Sequence, residues 1–284
     1  MANENQLPFD PNKVPDLIRT GKIRIISTPT IPAAPPPMHE IKGENATVER
    51  AKNLLGKDFL GVEAIKNMET KLKAVGVDVE FPLNNLPDFP YDERDLQIAK
   101  QNNEMVVLRA GVQRLGVSTK TDTLIRLISF RELFRKNPNL SLATVFYCFR
   151  KDANDWDKTE KFATQTGGIR LGWAIVGKEV LPDSMNKNWN QQEEILKNYG
   201  EKIKDIGAGN ANVRRRTAME TTWDTLLYYT NTDKPLLEKT YDWTSSQTSD
   251  GQLVSVGEFD WSGIGMSAWQ PGEPVPRLGV CPSR

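Results

Sequence analysis

Histidine and cysteine are almost missing from this chain of 284 residues. There is one histidine, His39, and there are two cysteines, Cys148 and Cys281. A single imidazole all but excludes histidine-based catalytic triads and multi-histidine metal sites. Two cysteines form neither a disulfide framework nor a zinc set; a single Cys148–Cys281 pair is one reading, and free, buried thiols are the expectation. A charge bias is also lacking, since 37 Lys and Arg balance 37 Asp and Glu. The chain therefore carries no electrostatic footprint for nucleic acid. No apolar run reaches the roughly 18–20 residues that cross a bilayer. The opening "MANENQLPFDPNKVPDL" has no basic region followed by an apolar core, so no signal peptide is expected. The expectation is a soluble globular protein, either cytoplasmic or displayed through a partner.

Proline and glycine are unevenly spread. Residues 1–43 are Pro-rich, centred on "TIPAAPPPMH", and read as an extended arm. Such an arm straps its own domain or reaches a neighbouring subunit. "KIRIIS" within it is a candidate edge strand. Residues 44–103 read as a small helical region. Val48, Ala51, Leu54 and Leu55 share a face ahead of Gly56; Ile65, Met68 and Leu72 share another after Gly61; Asp92 caps a short helix with Leu96 and Ala99. The two turn-linked helices are not strongly basic, which argues against DNA reading.

From 104 onward, strands and helices mix. "EMVVLRAG", "SLATVFYCFRK" and "GGIRLGWAIVGKEVLP" read as strands, the last bounded by Gly172 or Gly177. A helix is expected from Thr121 or Asp122 through Leu124, Ile125, Leu127, Ile128, Leu133 and Phe134. A second is expected from Asn190, paired with Glu193, through Ile195, Leu196, Tyr199 and Ile203. Thr217 and Glu220 form a capping box that opens a third, with Met219, Trp223, Leu226, Leu227 and Thr230 on one face. The adjacent run Arg214, Arg215 and Arg216 opposes the helix dipole, so at least one of these arginines should have buried partners. "RKDANDWDKTE" (150–160) reads as a solvated acidic loop. "GAGN" (207–210) has no strand before it and no Lys-Ser or Lys-Thr after it, so it is not a phosphate loop.

The final segment, 241–284, holds three Trp, six Gly and four Pro. Taken in order, "RRRTAMETTWDTLLYY", "YDWTSSQTSDGQLVSVGEFDWSG" and "PRLGVCPSR" resemble the C-type lectin fold in its calcium-independent branch. That branch includes formylglycine-generating-enzyme-like domains and the variable proteins of diversity-generating retroelements. Their core carries a basic-Leu-Pro-Thr helix opening, a "YWTSS"-like strand, an aromatic strand, an irregular loop and a "VRPVR"-like closing strand. This chain departs from that pattern twice: Arg216 stands where proline or leucine is usual, and Asp242 is inserted in the strand. The match covers about 215–284. The resemblance implies an α+β fold: a C-type lectin-like domain over 104–284, with mixed, mostly antiparallel short strands and flanking helices, preceded by the arm and the helical region.

In the retroelement variable proteins the diversified segment is C-terminal, which corresponds to about 250–284 here. Gly257, Phe259, Gly265, Trp269, Pro271, Leu278, Gly279 and Val280 read as scaffold, and Trp243 as core. Ser255, Glu258, Trp261, Ser262, Ile264, Met266, Ser267, Ala268, Gln270, Glu273, Pro274 and Val275 follow neither strand nor helix period. They are expected to form an exposed binding surface for varied targets, most of them proteins, with no catalytic residue, metal or cofactor. Trp and Met would supply contact area, and Ser, Gln and Glu adaptable hydrogen bonds. Two other readings stay open: an enzyme of the formylglycine-generating type, and an undiversified phage or cell-surface structural protein. Cys148 and Cys281 do not match the catalytic cysteines of the former. "QPG" (270–272) and "EPV" (273–275) lack the third polar ligand of a calcium-dependent lectin, and no "WND" triplet follows.

Overall fold

The computed structural model describes residues 46–115, 122–129, 146–148, 159–165, 168–260 and 263–284. All belong to one compact unit, Lys42–Arg284. The arm expected over 1–43 and most of the acidic loop 150–160 lie outside the described residues. The helices are α1 (Val48–Leu55), α2 (Val62–Ala74), α3 (Glu93–Gln101), the short α4 (Lys161–Thr164), α5 (Trp189–Asp205) and α6 (Ala218–Thr232). The strands are β1 (Phe59–Leu60), β2 (Val79–Glu80), β3 (Glu104–Arg109), β4 (Val112–Leu115), β5 (Thr123–Leu124), β6 (Phe146–Cys148), β7 (Gly172–Gly177), β8 (Tyr241–Gln247), β9 (Leu253–Asp260), β10 (Gly263–Trp269) and β11 (Leu278–Gly279).

The architecture is α+β, with three small sheets among the described residues, ordered β1-β3-β7, β11-β8-β9-β10-β6 and β2-β4-β5. Pairings are antiparallel except β1 with β3, β6 with β10 and β8 with β11. Beyond β11 the chain returns beside β7, where Ser283 bridges both Val176 and Arg214.

Helix α6 runs through the centre. Met219, Trp223, Leu226, Leu227 and Thr230 are buried as expected, but so are Thr221, Thr222, Asp224 and Thr225. A helix buried on every side shows no clean amphipathic stripe. Its Trp223 ring meets Phe81 edge-on at 5.2 Å and donates its indole N–H to Leu108 O at 3.1 Å. The 44–103 segment is not set apart: Leu60, Ile65, Met68 and Leu72 join Val107, Trp223, Val256 and Met266 in one core.

Side-chain caps mark the starts of α1, α3, α5 and α6. Asp92 with Asp95 and Thr217 with Glu220 both make capping boxes. Helix α5 corrects its expected start by two residues, because Asn188 and Gln191, not Asn190 and Glu193, make its box. The chain holds two overlapping Asn-x-x-Gln/Glu frames, and tertiary contacts select the first. Trp189 N–H donates to Pro271 O at 2.9 Å, and Glu193 is taken by Arg215. The helix expected from Thr121 or Asp122 is also revised. Thr123 and Leu124 pair with β4 as a strand, and helical geometry begins at Leu127. Leu133 and Phe134 lie outside the described residues.

Candidate binding surface

Residues 278–284 are buried throughout and held from several directions. Gln192 Nε2 donates to Leu278 O at 3.1 Å, and Val280 N–H donates to Ser184 Oγ at 3.0 Å. Cys281 N–H donates to Asp242 Oδ1 at 2.9 Å. Arg284 reaches Asp95 at 2.9 Å and Glu104 at 3.0 Å. At Gly279 an added Cβ would stand 2.7 Å from Val180 and from Ser184, so only glycine fits there without movement.

The two departures from the lectin-like pattern meet each other. Arg216 Nε donates to Asp242 Oδ2 at 2.9 Å, and Thr221 Oγ1 donates to the same oxygen at 2.8 Å. Arg216 also reaches Asp224 at 3.2 Å, which Arg109 grips with two hydrogen bonds of 3.0 and 2.6 Å. Arg109 and Arg214 then share Glu220 at 2.7 and 2.6 Å. Burial alone would raise the Glu220 pKa. The two arginines outweigh that and hold it at about 2, against an ordinary 4.5. The Cys281 thiol beside this network is pushed well up by burial and by Asp242.

Between β10 and β11 lies the irregular loop 270–277. Its backbone is fixed mainly through its carbonyls. Pro271 O accepts from Trp189 N–H at 2.9 Å, and Val275 O accepts from Asn186 N–H at 3.3 Å and Leu278 N–H at 3.1 Å. Arg277 O accepts from Tyr241 N–H at 2.8 Å. Inside the loop, Glu273 N–H donates to Gln270 O at 3.1 Å. The side chains of Gln270, Glu273, Pro274, Pro276 and Arg277 are exposed.

Beneath the loop sits a small aromatic cluster. Trp243, Leu253 and Leu278 are buried, and Trp189, Tyr241, Trp269 and Val275 are half-buried around them. Trp189 is braced on both sides: its ring meets Trp243 at 5.4 Å and carries the Arg215 guanidinium 3.6 Å from its centroid. Arg215, as the sequence required of one of its arginine run, is buried and donates to Gln192 Oε1 at 3.0 Å and Trp243 O at 2.8 Å. Burial lowers its pKa, against the pull of Glu193.

The residues expected on the variable surface divide. Gln270, Glu273 and Pro274 are exposed, and Glu258, Ala268 and Val275 are half-buried. Trp261 and Ser262 lie outside the described residues. Ser255, Ile264, Met266 and Ser267 are a correction. They are 0%, 0%, 2% and 8% exposed, so they do not form an outward-facing surface. Strands β9 and β10 are interior strands of the five-stranded sheet. Met266 and Ile264 face the main core, while Ser255 Oγ donates to Ser267 O at 3.3 Å on the opposite face.

Among the expected scaffold residues, Phe259, Leu278 and Val280 are buried, and Trp243 is core. Gly257 allows no side chain, since a Cβ would fall 2.1 Å from Thr240 O. The next residue, Glu258, takes a left-handed φ of 44°, unusual for a non-glycine residue. Its carboxylate accepts from Tyr241 Oη at 2.8 Å and Arg277 Nη1 at 2.7 Å.

Sequence reading missed Trp189, Tyr241 and Arg277 as neighbours of this surface. Trp189 lies about eighty residues upstream of the loop, and only the fold brings it there; Tyr241 was visible as part of the "YDWTSS" strand. Among the described residues, no group of three or more His, Cys, Asp or Glu is placed to hold a metal ion. Nor is any described helix long and apolar enough to cross a membrane. The arrangement offers a rigid, mixed apolar and polar contact surface. Comparison with known family models, curated proteins and solved structures gives no match to this chain.

Proposed function

We propose that this chain is a binding protein with a C-type lectin-like domain, similar to the variable proteins of diversity-generating retroelements. Its recognition surface is the loop 270–277 with its aromatic rim. The target is a protein rather than a nucleic acid, and recognition needs no metal or cofactor. One observation carries the reading: an irregular loop exposes a run of side chains while hydrogen bonds to three other elements fix its backbone. Rigid support beneath adaptable side chains is what a paratope requires, because little entropy is lost on binding. The chain order of α6, β8, β9, β10, loop and closing segment also matches the order on which the family resemblance rests.

The formylglycine-type alternative needs a reactive thiolate. Cys281 is fully buried and its thiol is held protonated, which makes it a poor nucleophile. Two measurements test the binding reading. Sequencing the flanking DNA should find a near-copy of the segment encoding the last residues, differing mainly at adenines, beside a reverse transcriptase gene. Absence of both removes diversification and leaves an undiversified protein of the same fold. Separately, a display library randomised at Gln270, Glu273, Pro274 and Arg277 should yield binders to a chosen protein. A well-folded library that yields none rejects the loop as a recognition surface.

A further inference from the structure

A second concave site shares no residue with the loop 270–277. It is a groove of about 500 Å³ between α5 and the segment 177–183, closed at one end by Asn102 and Asn103. That volume lies in the ordinary range for a small-ligand site. Its direction follows from two contacts. Gln192, near the start of α5, donates to Ser184 O at 2.9 Å, and Tyr199, two turns later, accepts from Asn102 Nδ2 at 2.9 Å. Asp183 therefore marks one end, and Lys202 with Asn103 the other. From Ile195 to Lys202 the helix rises about 10 Å.

The ends carry opposite charge. Asp183 and Lys202 are both exposed, and among the described residues neither is in an ion pair. Lys178, also on the wall, is already neutralised by Asp58 at 2.9 Å. Between the ends, the wall has unused backbone donors. Gly177 N–H and Leu181 N–H both donate to the closing segment, at Pro282 O and Val280 O, each at 2.9 Å. The chain bulges between these two anchors, and among the described residues the N–H groups of Glu179 and Val180 are taken up neither by β3 nor by the closing segment. Ile195, Leu181 and Pro282 supply apolar lining.

We propose that this groove binds a short zwitterionic peptide of about three residues. An extended tripeptide spans about 10 Å, matching the rise of α5 along the groove wall from Ile195 to Lys202. Its carboxylate lies at Lys202 and Asn103, its ammonium at Asp183, and its main chain along the bulge at 178–180. An apolar central side chain rests on Ile195 and Leu181.

Calorimetry on the full chain with the tripeptide Ala-Leu-Ala tests this. The free peptide should bind with a Kd below about 1 mM. N-acetylation and C-amidation should each weaken binding about tenfold, through loss of one charge-assisted contact. Lys202→Gln should abolish the penalty for amidation, and Asp183→Asn the penalty for acetylation. Both positions are exposed, so these variants should keep the unfolding midpoint of the parent chain. Glu273→Ala in the loop should leave peptide binding unchanged, which separates this site from the recognition surface. No heat with the free peptide at millimolar concentration, equal binding of free and blocked forms, or variants that retain both penalties would overturn the proposal.

Discussion

Residues 270–277 and 278–284 are neighbours in the chain, and each contains proline, glycine and one arginine, yet their side chains go opposite ways. The first stretch exposes most of its side chains and is fixed through its backbone. The second buries every side chain and is fixed through Gln192, Ser184, Asp242, Asp95 and Glu104. Backbone atoms anchor both; what distinguishes them is that the second also buries its side chains, with Arg284 held between Asp95 and Glu104.

The strongest way to break this contrast is to attack the lock. Asp242→Ala leaves Arg216 short of a buried partner and strips Cys281 N–H of its acceptor. The expected loss is about 3–5 kcal/mol in urea unfolding. Adding Arg216→Met should recover part of it, because Asp224 keeps Arg109 and no buried charge is then left unpaired. If the double variant is no more stable than Asp242→Ala, Arg216 and Asp242 are not acting as a pair.

Met266→Ala comes next, at about 2–5 kcal/mol for a core cavity. A loss below about 0.5 kcal/mol would return Met266 to the surface.

Acid sharpens the contrast further. The folded pKa of Glu220, about 2, lies below its ordinary 4.5. Its contribution is therefore complete above pH 4.5 and is lost as pH falls toward 2, about 3 kcal/mol in all. Glu220→Gln should flatten the stability profile over that window, and an unchanged profile would show that the arginines do not depend on it.

Smaller effects are expected on the exposed side. Glu258→Gly releases a left-handed strain of about 1–2 kcal/mol but gives up the contacts with Tyr241 and the largely exposed Arg277, so the net change should stay within about 1 kcal/mol. Smallest of all, Gln270→Ala, Glu273→Ala and Pro274→Ala should each move stability by less than about 0.5 kcal/mol. A large loss at any of them would place that side chain in the lock.

Much of the frame was legible because local chemistry announces it. Asp92 and Thr217 cap where their side chains predict, and the β3 run "EMVVLR" is buried at every residue. The arginine run opposing its own helix dipole correctly signalled buried partners. The site was less legible. Ser255, Ile264, Met266 and Ser267 show no alternation because their sheet is covered on both faces, and a strand buried on both sides loses the period of two. Patternlessness was read there as exposure when it reflected double burial. The Arg216–Asp242 pair was visible only as two separate departures from a pattern, since 26 residues and a helix separate them in the chain.

The loop's anchors have an evolutionary corollary. Carbonyl oxygens are common to all amino acids, so the acceptors at Pro271, Val275 and Arg277 are indifferent to the genetic letters that encode those positions. Glu273 differs, because it is held by its amide hydrogen, which proline lacks. As far as these hydrogen bonds go, Pro271, Val275 and Arg277 tolerate any residue, and Glu273 any but proline.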